Sequence, residues 1–444
     1  MDPVVSDIYN YSADLRSSGL DSQRMDEIKK RIADSIFVAY AASGSEPISI
    51  ERKALLPSKG KYNSTIFFTG DRASSETATF INGSMTRYLD YSDTYLSREA
   101  LHPSDNIPPI LAMAEPFESS GNDIIHAIDV AYEVVGALSD AVSIRDRGWD
   151  HVTYISISSS AGLGHLLEMN EERFENLMSL GLNNNISMRQ TRAGELSMWK
   201  GCTAADATRN SVFAASLTLN GFTGPSPIFV GEMGFVKQVS GPLNLTLGKK
   251  RVMKTMIKNY PVEYHAMSAV EAALRIRGKL NGGIRKISVE TFDVANKIII
   301  KDPEKLRPKT KETADHSMPY LIAYSLLYGD PTPDSYSSHY LEDPKILAAI
   351  DKMTFTVTDR FNKMYPEFLP VKIIVETDKQ TLTEELDVPK GHHRKPYSWD
   401  DLLLKGNRVM SERSAAEIVN IAKRFDRSDV TELLEVMKNV HNER

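Results

Sequence analysis

The hydrophobic period of the chain changes twice along its length, and this restricts its architecture more than any other feature. From residue 6 to about 260, apolar residues recur three and four positions apart, the spacing of helices with one buried face. Met25, Ile28, Ile32 and Ile36 form such a stripe after the helix-starting pair Asp21-Ser22, and Ile125, Ile128, Tyr132 and Val135 form another after Asn122-Asp123. Between about 284 and 390 the period falls to two: Ile287, Val289 and Thr291 alternate, as do Phe355 with Val357, and Ile373 with Val375 and Thr377. The last run turns through Asp378-Lys379-Gln380 into Thr381–Leu386, which reads as a hairpin, while helical spacing at about 262–279 and 312–329 interrupts the strands. After Pro396 the helical period returns and runs to the C-terminus. These shifts predict a large all-α helical domain assembled from residues 1–262 and 394–444, with a smaller α+β lid domain, residues 263–393, inserted into it. A length of 444 residues also exceeds what one core usually serves.

Composition narrows the function. Hydrophobic residues at 41% and charged residues at 25% are those of a soluble globular protein. The net charge of −6 offers no long-range attraction to nucleic acid, and the short basic run Lys249-Lys250-Arg251 reads as a solvated surface turn. No apolar run reaches membrane-spanning length and the N-terminus lacks a basic leader, so no membrane partner and a cytoplasmic location are expected. Cys202 is the only cysteine, which excludes an internal disulfide and a protein-ligated iron–sulfur cluster. The ten histidines form no His-Glu-x-x-His, and the adjacent His392-His393 suit no shared ion, so no metal is expected. Glycine-rich dinucleotide and Walker-type loops are also missing, and no cofactor is expected.

The residues that carry chemistry begin with Lys200. It stands just ahead of a helix whose contact face is small, with Ala204, Ala207, Ser211 and Ala214 at helical spacing, so a neighbouring backbone can approach and the lysine has a rigid base. Arg189 and Arg192 fall in the same twelve-residue segment, and Lys258 precedes the Tyr260-Pro261 turn. Arginine forks and lysine point charges together suit a polycarboxylate, although either arginine could instead pair with a surface carboxylate. Thr94 lies one turn after Asp90, so on a helix the two would share a face; a plain structural reading makes Asp90 the helix-terminal partner of Arg87. Pro103 keeps His102 out of a helix, on a loop or helix entrance with its ring free to enter a cleft. Asp150 adjoins His151 and could raise its basicity. His316 precedes Tyr320 by four residues, with Pro319 requiring the helix there to start late.

Five segments, in order, resemble signatures of the MmgE/PrpD family, which contains 2-methylcitrate dehydratases and cis-aconitate decarboxylases. They are Leu89-Asp-Tyr-Ser-Asp-Thr94 with Leu101-His-Pro-Ser104, Trp149-Asp-His151, Met198-Trp-Lys-Gly-Cys202 with its following helix, Tyr260-Pro-Val-Glu-Tyr-His265, and Ala314-Asp-His-Ser-Met-Pro-Tyr320. The resemblance implies the same helical domain with an inserted lid, and a homodimer. It also implies that Asp90, Thr94 and His102 line an active site, that Lys200 faces substrate, and that Tyr320 donates its phenol proton to a carboxylate. Asp150-His151 and His265 resemble the dehydratase branch, and Glu263 stands where animal decarboxylases carry histidine. Gly391-His-His-Arg-Lys-Pro396 resembles a family turn whose basic residues would act as gate elements. His126, His165, His339 and His441 match no such segment and read as ordinary surface or packed histidines.

The function so implied is a cofactor-independent hydro-lyase that dehydrates 2-methylcitrate, or a close tricarboxylate, to 2-methyl-cis-aconitate. His102 and His151 would be the acid–base pair, with Asp90, Lys200 and Tyr320 completing the catalytic set; Thr94, Arg189, Arg192, Lys258, Glu263, His265 and His316 would bind substrate. Decarboxylation of cis-aconitate to itaconate, or epimerisation of a dicarboxylate, are the rival chemistries, and a non-catalytic sensor or carrier is the rival of another class.

Overall fold

A computed structural model describes residues 1–194 and 196–441, except the side chain of His441; the readings for His441 and for residues 442–444 lie outside the described residues. Among the described residues the chain is mainly helical, with a four-stranded mixed sheet and two short two-stranded antiparallel ribbons. Helices start where short polar side chains satisfy first-turn amides that lack a carbonyl partner. The Asp21 carboxylate accepts from Arg24 N at 2.9 Å to open Ser22–Ala42, and the Ser120 hydroxyl from Asp123 N at 3.2 Å to open Gly121–Ala141. Both expected stripes face inward: Ile28, Ile32, Ile36, Ile125, Ile128, Tyr132 and Val135 are buried.

The small-residue helix is Thr203–Leu219, with Ala204, Ala207, Ser211 and Ala214 buried and Gly221, at φ 86°, ending it. Helix Ser75–Arg87 packs on it so closely that a Cβ on Gly83 would sit 2.9 Å from the Ala205 Cβ. Asp90 follows the end of one helix and Lys200 precedes the start of the other. Their close packing therefore brings the carboxylate and the ammonium together.

The sheet runs Met353–Val357, Ile284–Thr291, Val371–Thr377, Thr381–Leu386 in spatial order. The first pair is parallel, with Val289 opposite Phe355; the others are antiparallel, with Val289 opposite Ile373 and Ile373 opposite Glu384. Ile287, Val289, Ile373 and Val375 are buried, which is the alternation the sequence predicts for a sheet covered on one face. Helices Met267–Arg277 and Met318–Leu327 contribute to the same apolar cluster.

Buried apolar side chains form two large clusters, one drawn from residues 5–257 and 397–440, the other from residues 256–375. Among the described residues no helix is long and apolar enough to cross a membrane. The basic run is not wholly a solvated turn. Lys249 and Lys250 are exposed, but Arg251 is buried against Glu133 and Asp140, because the acids of helix Gly121–Ala141 give its guanidinium partners and Gly136 leaves its stem room.

Candidate active site

A cavity of about 580 Å³ is lined by residues from distant parts of the chain, among them Asp90, His102, His151 and Lys200, and Lys258, Glu263, His265 and His316. Thr94, Arg189 and Arg192 line it as well. Tyr320 does not. It is fully buried inside the second cluster, where its hydroxyl donates to the Ser335 carbonyl, so it is a core aromatic with a locally satisfied hydroxyl. The late helix start at Met318 places its ring on the packed face, while His316, ahead of that helix, turns to the cavity.

Asp90 is the centre of charge. The chain leaves helix Ser75–Arg87 and Asp90 adopts a left-handed backbone at φ 52°, so Asp90 and Thr94 share no helix face; Thr94 instead pairs with Met256 in an isolated bridge. Aspartate tolerates this conformation better than most residues. Its carboxylate takes Arg87 Nη1 at 2.8 Å, Lys258 Nζ at 2.7 Å and Lys200 Nζ at 3.1 Å, and its carbonyl accepts Lys258 Nζ at 2.8 Å. The Arg87 pairing anticipated by the plain structural reading is therefore present, but inside the cavity wall. Burial would raise the Asp90 carboxyl, yet Arg87, Lys200 and Lys258 overcome it and hold the pKa well below the ordinary carboxylate value.

Lys200 also lies 3.7 Å from Asp315 Oδ1 and 3.4 Å from His316 Nδ1. Asp90, Asp315 and His316 are the one group among the described residues whose spacing would suit a metal ion, and the Lys200 ammonium is the cation they already share. Burial lowers the Lys200 pKa to about 8, against the opposing pull of Asp315 and Asp90.

The two imidazoles stand side by side, ring centroids 6.2 Å apart. His102 sits at the entrance of the short turn Pro103–Asn106, as Pro103 requires, and its Nδ1 is 2.6 Å from the Asp93 carbonyl. A carbonyl can only accept, so Nδ1 carries the proton and Nε2 is left unprotonated in the neutral ring, 3.8 Å from Asp90 Oδ1. Asp93 is itself fixed, its carboxylate accepting from Ser104 N at 2.9 Å and the Tyr132 hydroxyl at 2.9 Å. Burial, with Arg87 and Lys258 nearby, pushes the His102 pKa well below that of a free imidazole. His151 Nδ1 lies 3.2 Å from Asp150 Oδ1, and its buried Nε2 has no protein partner. Burial lowers its pKa to about 3, outweighing Asp150, so the adjacent carboxylate does not make it basic.

Arg192 pairs with Asp150 at 2.7 Å, but this partner is fully buried rather than on the surface. His265 is clamped between Glu263 Oε1 at 2.7 Å from Nδ1 and the Tyr365 hydroxyl at 3.2 Å from Nε2. His392, His393 and Arg394 do not line the cavity; Arg394 and His393 pair with Glu367. His126 and His165 meet edge to face away from it.

Arg87, Arg145 and Lys305 also line the cavity and were not singled out as site residues. For Arg87 the signal was its place three residues before Asp90. For Arg145 there was none: Glu99, distant in sequence, accepts from Ile144 N at 3.0 Å and Arg145 N at 2.8 Å and so fixes the loop.

Comparison with known proteins defines the class. Residues 6–247 match the MmgE/PrpD N-terminal domain and residues 260–435 the MmgE/PrpD C-terminal domain, and the chain belongs to the MmgE/PrpD family. Within it, the chain is 30% identical over 347 residues to 2-methylcitrate dehydratase of Escherichia coli K12, covering 72% of this chain and 71% of that one. It is 28% identical to a mitochondrial 2-methylcitrate dehydratase of Yarrowia lipolytica, covering 73% and 67%, and 28% identical to the 2-methylcitrate dehydratase of Cupriavidus necator, covering 78% and 75%.

Proposed function

We propose that the protein removes water from a citrate-like tricarboxylate, 2-methylcitrate foremost, to give the corresponding cis-aconitate without a metal or other cofactor. By family and relatives it is a 2-methylcitrate dehydratase-like carbon–oxygen lyase. The observation that carries the reading is two neutral imidazoles beside a cluster of Arg87, Lys200 and Lys258 in one cavity.

Dehydration takes a proton from the carbon beside one carboxylate and a hydroxyl from the next carbon, the C–H electron pair becoming the new double bond. The barrier lies in the negative charge that builds on that carboxylate. His102 suits the base, because its tautomer turns the Nε2 lone pair inward. Lys200, Lys258 and Arg87 suit the growing charge, with Asp90 holding the three in place. His151 hands a proton to the departing hydroxyl once the bound anion raises its pKa, and Asp150 steadies the imidazolium. Arg189, Arg192, Thr94 and His316 hold the remaining carboxylates, while Glu263 and Tyr365 fix the His265 ring in the wall beside them. The reading includes residues 263–393 as a lid domain, which the second apolar cluster supports, and a cytoplasmic homodimer.

Incubation with 2-methylcitrate, citrate, cis-aconitate and a dicarboxylate, each with and without chelator, tests this. New alkene absorbance from a tricarboxylate, unchanged by chelator, is expected. Carbon dioxide from cis-aconitate would mark a decarboxylase, and solvent deuterium exchange without either product an epimerase; no alkene from 2-methylcitrate or citrate sinks the reading.

A further inference from the structure

The helical turn Pro303–Leu306, on the α+β side of the cavity, inverts the usual order of burial. Its apolar Leu306 is 40% exposed and its Lys305 only 7%, while the flanking Asp302 and Glu304 are exposed. A turn with no further task would do the reverse, since an ammonium loses hydration on burial and a leucine gains by it. Lys305 lines the cavity, and among the described residues its ammonium makes neither a hydrogen bond nor an ion pair.

Its position is fixed from behind. The Ser317 hydroxyl donates to the Lys305 carbonyl and accepts from Tyr320 N at 3.1 Å, tying the turn to the start of helix Met318–Leu327, next to His316. The buried carboxylates in its field have other partners: Asp315 is held by Lys200, Lys311 and His316, and Glu263 by His265. Burial pushes the Lys305 ammonium below the ordinary lysine range, with Asp315, Asp302 and Glu263 pulling back. Lys200, Lys258 and Arg87 already share Asp90, so Lys305 is a cavity cation whose charge is uncommitted.

We propose that Lys305 binds a carboxylate of the substrate and so favours tricarboxylates over dicarboxylates. This rests on the polycarboxylate reading above and adds to the cavity a cation that Asp90 does not hold.

The test compares wild type, Lys305→Met and Lys305→Arg by calorimetric titration with citrate and with succinate, alongside steady-state kinetics on 2-methylcitrate and thermal melting. A lost charge-assisted hydrogen bond should weaken citrate binding by about 10- to 100-fold in Lys305→Met. Succinate binding should change far less, KM should rise more than kcat falls, and Lys305→Arg should retain most of the citrate affinity. The melting midpoint of Lys305→Met should stay close to that of wild type, because the ammonium has no protein partner to lose. Unchanged citrate binding, or equal losses for citrate and succinate, would overturn the proposal. A wild type that binds citrate but converts neither tricarboxylate sinks the dehydratase reading alone, and the titrations still judge Lys305. A wild type that binds no citrate sinks both.

Discussion

Replacing Asp90 by asparagine isolates the charge on which the cluster depends. Asparagine keeps the shape and tolerates the left-handed backbone at φ 52°, so strain is not introduced. What changes is the sum of charges: a buried carboxylate bonded to Arg87, Lys200 and Lys258 becomes neutral, leaving three cations around it. One amide oxygen can still accept from Arg87 and Lys258 in the place of Oδ1. The amide nitrogen then occupies the place of Oδ2, where Lys200 Nζ at 3.1 Å offers a second donor instead of an acceptor. Breaking a buried ion pair by removing one partner costs about 3–5 kcal/mol, a large share of a typical stability of about 5–15 kcal/mol. The melting midpoint should fall by about 3–5 °C. Citrate, whose carboxylates would meet the same cations, should raise the midpoint of the variant more than that of wild type. A variant that melts with wild type and gains no more from citrate would show that Asp90 is not the counter-charge of this cluster, and the electrostatic argument for the site would fall with it.

Other expectations follow from the same geometry. Lys200→Met removes one of the cations facing the developing carboxylate charge and should lower kcat by about 10²–10³-fold; undiminished turnover in single-turnover assays would remove Lys200 from the chemistry. Tyr320→Phe should cost about 1 kcal/mol through the unpaired Ser335 carbonyl and leave kcat/KM unchanged, whereas a large fall in kcat/KM without loss of stability would return this tyrosine to the active site. His151 is buried with a pKa of about 3 against an ordinary 6.5, so its stabilising contribution is complete above 6.5 and is lost as pH falls toward 3. His151→Asn should therefore lose less of its melting midpoint than wild type between about pH 6.5 and 4.5, and equal slopes would contradict a buried neutral ring. Gly83→Val should lower both stability and activity by forcing helix Ser75–Arg87 off Ala205, and retention of both would show that this close approach does not set the distance between Asp90 and Lys200.

Much of the site was legible because its residues sit at predictable breaks in regular structure. Lys200 precedes a helix whose small face is visible as spacing, and His102 precedes a proline. The strands and their hairpin were legible from period two, since one face of the sheet is covered. Asp90 and Thr94 were misplaced on one helix because nothing in the local sequence signals the left-handed turn; the Lys258 and Arg87 bonds that support it come from elsewhere in the chain and the preceding helix. Tyr320 matched a motif, but its ring direction is set by the packing of Tyr324 and Tyr336, which no spacing rule reports. Lys305 was invisible for a similar reason: nothing in the spacing of Pro303–Leu306 signals which side chain points inward.

Lys258 lies where the backbone passes from one apolar cluster to the other, Met256 belonging to the second and Ile257 to the first. Its ammonium, fully buried, clasps both the carbonyl and the carboxylate of Asp90. Pulling the two halves of the molecule apart would strip that clasp in surroundings too dry to replace it.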